Sequence, residues 1–411
     1  MRVFGSADVL IPQNISMEDW AVIACDQFTS QPDYWERVKK RAEGKPSTGE
    51  LIIAEVDLKR NVEERVARVH MAMNDYLKRD LFTEYKDCYI YVERTLLNGD
   101  IRRGILGIID LEAYDYRPDS SSPIRASEQT VLGRIPVRVK IREKAPLEVS
   151  HVLMLADDDR MSLIAPLTAH KDDLPLVYDF ELMENGGRIR GWLVKGDEAK
   201  AFDKRVSEYM IRETHRYEDL EGDPVLFAVG DGNHSIVTAK EVYEAEKRKH
   251  PEKDFTNDPL RYTLVELNNL YDDVQKIEPI YRIIKNTDPE KILDQMKHIC
   301  ADNGYPVSWC SGDREGTVYL DPERGQLAIG ILQDFLDYYL SHEEGEIDYI
   351  HGEDVVRELA KEPGSIGFLM DPIDKKKLFP SLKADGPLTR KCFSMGHARE
   401  KRYYLEARRI R

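Results

Sequence analysis

The segment spanning residues 226–240, LFAVGDGNHSIVTAK, constrains the fold more than any other part of the sequence. An apolar run, VLFAV, ends at Gly230, and apolar residues at helical spacing begin at Ile236. Gly230 and Gly232 permit a tight turn and a close approach of the backbone to a ligand. The pattern therefore predicts a strand that turns directly into the N-terminus of a helix.

The start of this predicted helix is a candidate phosphate site. A helix N-terminus presents unpaired N–H groups and a positive potential, both of which suit an anion. Asn233 and His234 add side-chain donors at that end, and Asp231 is placed either to hold Mg²⁺ or to cap the helix. The segment matches neither the P-loop nor the dinucleotide fingerprint. An ordinary capped helix after a glycine turn explains the same residues, so both interpretations stay open.

The chain is long enough to form two domains. It has 411 residues, 41% of them hydrophobic, and a single core stops growing at about 250–300 residues. The polar stretch 244–259 contains two prolines and is a candidate linker. We expect an N-terminal α+β domain over residues 1–250, which includes the phosphate motif, and a C-terminal α+β domain over residues 258–411.

Turn signals favour antiparallel strands over a regular βαβ alternation. The apolar runs 88–96 and 103–111 flank Asn98-Gly99, a strong hairpin signal because both residue types tolerate positive φ. A second hairpin is expected at 185–187, and a helix is expected to begin after Asp288. The predicted fold class is α+β, with mixed, largely antiparallel sheets and flanking helices.

Composition excludes several classes of partner. The formal net charge is −16, which argues against a nucleic-acid partner, since such a partner needs a basic surface. No apolar run reaches the roughly 18–20 residues that span a bilayer, so we expect no membrane association. The N-terminus lacks a signal-peptide pattern, so we expect a cytoplasmic protein.

The five scattered cysteines predict neither a disulfide framework nor a zinc site.

Residues 125–142, RASEQTVLGRIPVRVKIR, concentrate positive charge in an acidic chain. The basic residues that alternate with apolar ones in its second half are Arg134, Arg138, Lys140 and Arg142. An alternation with period two predicts a strand whose basic side chains lie on one face. These side chains either attract an anionic substrate or protect a solvated edge strand from pairing with another chain. Upstream, Glu128 lies close to Arg125, where a carboxylate can act as a general base, although a surface glutamate fits equally.

Three further polar segments have two interpretations each. The loop 26–35 follows the apolar run AVIAC and is either a polar-ligand site or a helix start at Pro32. The acidic run 157–159 is either a site for a hard cation or a solvated turn. The basic segment 390–397 is either a phosphate contact or a simple loop.

Five segments, in this order, resemble a large bacterial and archaeal family that is catalogued as a domain of unknown function. Its relatives include proteins described as SerK-like free serine kinases. The segments are ACDQFTSQPDYW, RASEQTVLGRIPVRVKIRE, FAVGDGNHSIVTAK, LVELNNLYD with EPIYR, and RKCFSMGHAREKRYYLEARRI. The resemblance extends over nearly the whole chain.

This resemblance implies a nucleotide site at residues 231–234. The family motif D-G-[NH]-H-[RS] is similar to the phosphate-binding strand–turn–helix of the ParB and sulfiredoxin superfamily. Ser235 stands where arginine is common, and serine cannot donate two parallel hydrogen bonds to a phosphate. Arg134 or Arg138 is the expected substitute. In SerK-like kinases a glutamate is thought to deprotonate the serine hydroxyl, and Glu128 is our candidate for that role.

Two hypotheses follow from the residues and the resemblance together. In the first, ADP or ATP with Mg²⁺ near Asp231 phosphorylates a small hydroxy compound such as serine. In the second, the protein binds a nucleotide as a regulator without turnover. Self-association into a homo-oligomer is compatible with both. The catalytic candidates are Glu128, Asp231 and His234, and the phosphate-binding candidates are Gly230, Gly232, Asn233, Ser235, Arg125, Arg134 and Arg138.

Overall fold

Among the described residues, the fold consists of one large mixed sheet, one smaller antiparallel sheet and two two-stranded sheets, with helices packed on them. The computed structural model describes residues 3–29, 31–58, 61–130, 133, 135–389 and 391–411. The strands are β1 (Phe4–Gly5), β2 (Ala7–Pro12), β3 (Val22–Ile23), β4 (Phe82–Thr95), β5 (Ile101–Asp110), β6 (Tyr114–Asp115), β7 (Ile124–Ala126), β8 (Leu147–Val149), β9 (Leu153–Ala156), β10 (Leu176–Glu181), β11 (Arg188–Lys195), β12 (Phe227–Asp231), β13 (Tyr262–Asn269), β14 (Ile277–Pro279), β15 (Tyr281–Lys285), β16 (Cys300–Ser311), β17 (Arg314–Leu320), β18 (Glu346–Ile350), β19 (Ile366–Leu369), β20 (Phe393–Met395), β21 (Tyr403–Tyr404) and β22 (Ala407–Arg409). The helices are α1 (Met17–Trp20), α2 (Pro32–Ala42), α3 (Val62–Lys78), α4 (Ile135–Arg142), α5 (Ala165–Ala169), α6 (Asp197–Thr214), α7 (Asn233–Lys249), α8 (Pro289–Met296), α9 (Ala328–His342), α10 (Glu353–Leu359) and α11 (Lys375–Ala384).

The large sheet has the strand order β6-β7-β12-β9-β13-β5-β4-β2-β22-β8, with β1 on β5 and the β10–β11 hairpin on β4. Within it β12 runs parallel to β7 and antiparallel to β9, and β13 is parallel to β9. The smaller sheet, β17-β16-β19-β15-β18, is antiparallel throughout. The predicted fold class, with mixed and largely antiparallel sheets, is confirmed.

Local sequence signals account for several of these elements. The predicted hairpin at Asn98-Gly99 joins β4 to β5, and Gly99 has the positive φ, +87°, that the turn needs. The second predicted hairpin joins β10 to β11, with Asn185 and Gly187 at positive φ. Helix α8 begins as expected, because the Asp288 carboxylate accepts the N–H of Glu290.

The predicted strand over residues 135–142 is wrong, because this segment is helix α4. The alternation of branched apolar residues with base is typical of a strand, but packing of the segment on α7 and α3 selects a helix. Pro136 is tolerated because it lies in the first turn, where its missing N–H is not required. Ile135 and Arg138, three residues apart, are consequently buried on one face of the helix.

Strand pairing does not follow the predicted division into residues 1–250 and 258–411. Both β13 and β22 belong to the large sheet, although each lies within the expected C-terminal domain. The predicted linker 244–259 begins inside α7, which ends only at Lys249. The pairing favours a smaller unit built around the second sheet and inserted between β13 and β22. The number of independent domains stays a prediction.

Helix α7 packs on the main core, which also includes apolar side chains of β12 and β9. The α7 side chains that face this core are Ile236, Val237, Ala239, Val242 and Tyr243. This buried face fixes the N-terminus of α7 at the carboxyl end of β12. Among the described residues, no helix combines the length and apolar character needed to cross a bilayer.

Buried arginines attach the C-terminal segment to the large sheet. Arg402, only 3% exposed, donates to Glu266 on β13 at 2.7 Å and to Glu406 at 2.6 Å. Burial lowers the pKa of Arg402, but the two carboxylates raise it above its ordinary value. Arg94 on β4 donates to the carbonyl oxygens of Lys401 and Glu400, at 2.6 and 3.0 Å. The segment around residue 401 is thereby held in one position.

We predict that Arg402→Met destabilises the protein by about 3–5 kcal/mol, because removing one partner leaves buried carboxylates without a counter-charge. The measurement is the urea unfolding midpoint followed by circular dichroism. Arg79→Met is the control, since Arg79 and Asp75 are both about half exposed and lie 3.1 Å apart on α3; it should cost less than about 1 kcal/mol. Equal shifts of the midpoint for both variants would contradict the anchoring role of Arg402.

Candidate functional site

The turn between β12 and α7 has the geometry that the sequence predicted. Gly232 is the N-cap of α7 and has a left-handed backbone, φ +82° and ψ +24°. Its carbonyl oxygen accepts the N–H groups of Ser235 and Ile236. The first N–H groups of α7, starting at Asn233, have no acceptor within the helix and point out of its N-terminus. A Cβ at Gly232 would lie 3.0 Å from the Cα of Val152, so the backbone approach requires glycine.

Lys401 lies at this helix N-terminus although the two are distant in sequence. Its side chain is 10% exposed, and its Nζ lies 3.6 Å from Oδ2 of Asp231. That separation exceeds a normal hydrogen bond. Oδ2 of Asp231 is buried and makes no hydrogen bond within the part of the chain that the structure describes. The described contact between the Lys401 ammonium group and the turn is therefore one long ion pair with Asp231.

Further ionisable side chains interact electrostatically with Lys401 or with its neighbours, and we call this set the Lys401 cluster. Its members are Asp26, Glu128, Arg138, His151, Asp231 and Lys401.

Asp26 and His151 form the part of the cluster next to β3 and β9. Burial raises the pKa of Asp26, but His151, Gln27, Arg138 and Lys401 together hold it below its ordinary value. Burial also dominates at His151 and lowers its pKa, although Asp26 and Asp231 act against this effect. Asp26 is consequently a carboxylate at neutral pH, and His151 is a neutral imidazole.

Glu128 is held by the backbone of a distant loop. Its carboxylate accepts the N–H groups of Lys391, Cys392 and Phe393 at 3.2, 3.0 and 3.3 Å. Burial raises the pKa of Glu128, and these three N–H groups together with Lys401 offset the rise only in part. A carboxyl group that is fixed in place with a raised pKa is suited to accept a proton. It is equally suited to anchor the loop.

Helix α4 carries Arg138 into the cluster. Arg138 is buried and donates to Glu55 at 3.3 Å, and its charge also acts on Asp26 and Cys25. A cavity of about 110 Å³ beside it is lined by Cys25, Arg138, Ser235 and Tyr404, among others. Burial raises the pKa of the Cys25 thiol to about 11, so a nucleophilic thiolate is not favoured there.

A basic patch near Lys401 is formed by His351, which follows β18, and by Lys391 and His397, which lie on either side of β20. Burial lowers the pKa of His351, Glu278 raises it, and Lys401, His397 and Lys391 lower it further. His397 lies 3.3 Å from Glu278. Lys391 is therefore the one permanent cation of this patch, since the lowered pKa disfavours a charged His351 and Glu278 lies beside His397.

Several predicted site residues meet at this cluster, and others do not. Gly230, Gly232, Asn233, His234 and Ser235 form the turn and the first turn of α7. Asn233 Oδ1 is buried without a hydrogen-bond partner among the described residues, and Ser235 Oγ lies 3.5 Å from Nδ1 of His151. Arg134 lies outside the described residues. The catalytic and binding roles of these residues stay predictions.

Arg125 does not face the cluster. Its guanidinium donates to the carbonyl oxygens of Ser122, Asp223 and Leu382 at 3.0, 2.8 and 3.2 Å. Because these acceptors occupy its donors inside the protein, the predicted contact of Arg125 with phosphate is not supported. The side chain instead connects β7 to α11 and to the loop before β12.

The acidic run 157–159 fits neither of its two interpretations well. Asp157 and Asp158 are completely buried rather than solvated. Arg216 lies 3.4 Å from Asp157, and Arg212 lies 2.9 Å from Asp158. No group of three or more His, Cys, Asp or Glu side chains that could hold a metal occurs in the described ranges. Asp157 and Asp158 are therefore part of a buried network of ion pairs, whereas Asp159 is exposed and pairs with Arg216.

Sequence reasoning did not single out Lys401 or His151, and it included Asp26 only as the first residue of the candidate loop 26–35. The only available signal was their position, since each lies within or just beside a polar segment that borders a strand. Lys401 and Asp231 are separated by most of the C-terminal half of the chain. Their proximity depends on the return of β22 to the large sheet, and no local pattern predicts that return.

The chain belongs to the family described as "Protein of unknown function (DUF1015)", whose model matches residues 10–409. The predicted membership is thereby confirmed. No curated protein matches the sequence.

Solved structures resemble the chain at the level of the fold alone. Free serine kinase in complex with AMP shares 10% identity at a TM-score of 0.38, covering 74% of this chain and 91% of the kinase. A conserved hypothetical protein from Pyrococcus furiosus shares 11% identity at a TM-score of 0.33, covering 72% of this chain and 90% of that protein. C-terminally truncated SbnI from Staphylococcus aureus shares 10% identity at a TM-score of 0.35, covering 73% of this chain and 82% of the SbnI chain. These likenesses are too distant to transfer a ligand or an activity, and similarity of the turn to ParB stays a prediction.

We predict that Gly232→Ala destabilises the protein by at least about 1–2 kcal/mol, because alanine in the left-handed region is strained. The close contact with Val152 adds to this cost. Gly330→Ala in α9 is the control, since no atom lies within 4 Å of the added Cβ; it should stabilise by about 0.5–1 kcal/mol. Urea midpoints measure both changes, and an unchanged midpoint for Gly232→Ala would refute the described turn.

Proposed function

We propose that this protein binds a nucleotide and holds its phosphates between the N-terminus of α7 and Lys401. The observation that carries the proposal is the Lys401 side chain, which is nine-tenths buried beside the turn that begins α7 and whose one ion pair among the described residues is the 3.6 Å contact with Asp231. A buried ammonium group normally has close hydrogen-bonding partners. A phosphate oxygen at this place supplies such a partner and also accepts hydrogen bonds from the first N–H groups of α7.

The charge distribution supports a polyphosphate rather than a neutral ligand. Arg138 approaches the turn from α4, and the basic patch approaches Lys401 from the end of β18 and from the loops on either side of β20. These cations come from elements that are far apart in sequence. Convergence of base from several elements on one helix N-terminus is typical of a site that holds more than one phosphate group.

The carboxylates of the cluster suit a magnesium ion that arrives with the nucleotide. Mg²⁺ is usually bound by one or two carboxylates together with substrate phosphates. Asp231, with an oxygen that lacks a hydrogen bond within the described chain, and Asp26, with its lowered pKa, are the donors that would hold it. The described side chains alone do not form a metal cage, so the phosphates would complete the coordination.

The finer version of this proposal is a phosphotransferase that uses ADP or ATP to phosphorylate a small hydroxy compound such as serine. Glu128 accepts the hydroxyl proton in this version, consistent with its raised pKa and its fixed position. Arg138 and Lys401 stabilise charge on the transferring phosphoryl group. His234 lies next to the phosphates at the second position of α7.

The second candidate is a nucleotide-binding regulator without turnover. The observation that favours it is that both Glu128 oxygens accept hydrogen bonds from the backbone N–H groups of residues 391–393. A carboxylate with these bonds holds a loop in place, and a nucleotide bound at Lys401 would affect the position of that loop. Self-association that depends on the nucleotide is the outcome this candidate predicts.

We predict that Lys401→Met weakens ADP and ATP binding at least tenfold, because the only buried lysine facing the turn among the described residues is removed. Isothermal titration calorimetry in the presence of Mg²⁺ measures the affinity. Lys297→Met is the control, since Lys297 is exposed and pairs only locally with Asp294. Equal affinity of the Lys401→Met protein and the native protein would rule out the phosphate site.

Kinase activity is tested with ADP or ATP, Mg²⁺ and a panel of hydroxy amino acids, by detecting the phosphorylated product. If Glu128 is the base, Glu128→Gln lowers kcat by roughly 10²–10⁴-fold and leaves nucleotide affinity unchanged. Asp26→Asn tests a second carboxylate of the cluster in the same assay. Tight nucleotide binding without product from any acceptor eliminates the kinase version and leaves the regulator.

A further inference from the structure

The cavity of about 110 Å³ beside Arg138 lies among α3, α4, α7 and β8. A dry cavity of about 150 Å³ holds a benzene ring, so this one has room for about four to six non-hydrogen atoms. The charged side chains that line it are Arg138, Arg142 and Glu148. Most of the remaining wall is aliphatic and includes Leu51, Ile52, Ile53, Met73, Leu147 and Val149. The space therefore suits a small ligand with an apolar part.

Glu148 has no hydrogen-bonding capacity left for a ligand. One of its oxygens accepts the N–H of Leu264 at 3.0 Å and Nε of Arg408 at 2.9 Å. The other accepts Nη1 of Arg142 at 2.5 Å and the hydroxyl of Thr263 at 3.0 Å. Burial raises the pKa of Glu148, but the two arginines lower it to about 2. Glu148 is therefore an ionised carboxylate that two guanidinium groups share.

Arg142 has hydrogen-bond donors that are not used. Its Nε and Nη2 atoms are buried and have no acceptor among the described residues. The N–H groups of these two atoms lie on one side of the guanidinium plane, where they match the two oxygens of a carboxylate. A buried donor without an acceptor is costly. A turn of this side chain toward the cavity that it lines brings the donor pair to a bound anion.

The other polar groups of the wall offer no free negative charge. Arg138 already donates to Glu55 at 3.3 Å. Burial raises the pKa of the Cys25 thiol to about 11 and the pKa of the Tyr404 phenol well above its ordinary value, so both are neutral. The Thr238 hydroxyl donates to the carbonyl oxygen of His234 at 2.6 Å. The cavity consequently has a donor pair for an anion and no unpaired carboxylate for a cation.

We propose that this cavity binds a short aliphatic carboxylate, with its carboxylate on Arg142 and its alkyl chain against the aliphatic wall. An alkyl chain alone leaves the Arg142 donors unpaired. Inorganic phosphate has no apolar part, and its four oxygens need more donors than this wall provides. A branched carboxylate of four carbons, such as isobutyrate, has six non-hydrogen atoms and matches both the volume and the charge.

This inference does not depend on the proposed nucleotide site. Of the Lys401 cluster, only Arg138 is among the described residues that line the cavity. Ser235, in the first turn of α7, also lines it. The carboxylate and the nucleotide phosphates therefore occupy different places, and each can be tested without the other.

The test compares isobutyrate with isobutyramide, which has nearly the same shape but no charge. Titration of the nucleotide-free protein, followed by saturation-transfer NMR, should show isobutyrate binding at least tenfold more tightly than the amide. Arg142→Lys keeps the positive charge but removes the side-on donor pair, so it should weaken isobutyrate binding at least tenfold. Arg79→Lys, on an exposed position of α3, is its matched control.

Two variants fill the cavity and do not alter its charged groups. Ile52→Trp and Val149→Trp act from different walls, at positions where the native side chain is partly exposed. Both should abolish isobutyrate binding, whereas Ala67→Trp, on an exposed position of α3, should leave it unchanged. The urea unfolding midpoint shows that each variant is folded, and the tryptophan variants keep the test decisive if Arg142→Lys does not fold.

Several results would overturn the inference. These are no isobutyrate binding by the native protein, equal binding of the amide, or native affinity in both tryptophan variants. Displacement of isobutyrate by inorganic phosphate, or weakened isobutyrate binding in Lys401→Met, would place the anion at the phosphate site instead. Failure of the protein to bind ADP removes the proposed function and leaves this inference intact.

Discussion

The candidate site depends on the buried arginines that hold the C-terminal segment against the large sheet. Arg94 donates to the carbonyl oxygens of residues 399–401, and Arg402 pairs with Glu266 and Glu406. Burial lowers the pKa of Arg94 to about 9, which shows how strongly its surroundings disfavour an uncompensated charge. Such groups are tolerated only when their hydrogen bonds are satisfied. Any shift of the segment breaks several of these bonds together, so Lys401 stays at the N-terminus of α7.

The same segment places the site where the large and the smaller sheet meet. Glu128 follows β7 of the large sheet. The N–H groups that it accepts belong to the two residues before β20 and to the first residue of β20, a strand that pairs with β14. The basic patch approaches Lys401 from the end of β18 and from the loops on either side of β20. On the proposed function, a bound phosphate would therefore lie next to residues that are attached to both sheets.

Local chemistry was enough to predict the turn at Gly232 and the hairpin at Asn98-Gly99, because each needs a backbone that few residues adopt. It was not enough for α4, where branched residues favour a strand and only packing on α7 selects a helix. Arg125 was assigned to phosphate because it is basic and near Glu128, but the sheet directs its side chain toward carbonyl oxygens instead. The sequence could not identify Lys401 as a site residue, since its contact with Asp231 depends on the strand order in the large sheet.

The balance of charge in the Lys401 cluster constrains the form in which a phosphate ligand binds. Three carboxylates, on Asp26, Glu128 and Asp231, surround two permanent cations, on Arg138 and Lys401. A bare polyphosphate brought into this arrangement would meet carboxylates as well as base, and repulsion between like charges is strong where water is excluded. A divalent cation on the phosphates changes the sign of that interaction, because the carboxylates then face a metal rather than an anion. On the proposed function, the acidic part of the cluster is what selects a magnesium–nucleotide complex over the free nucleotide.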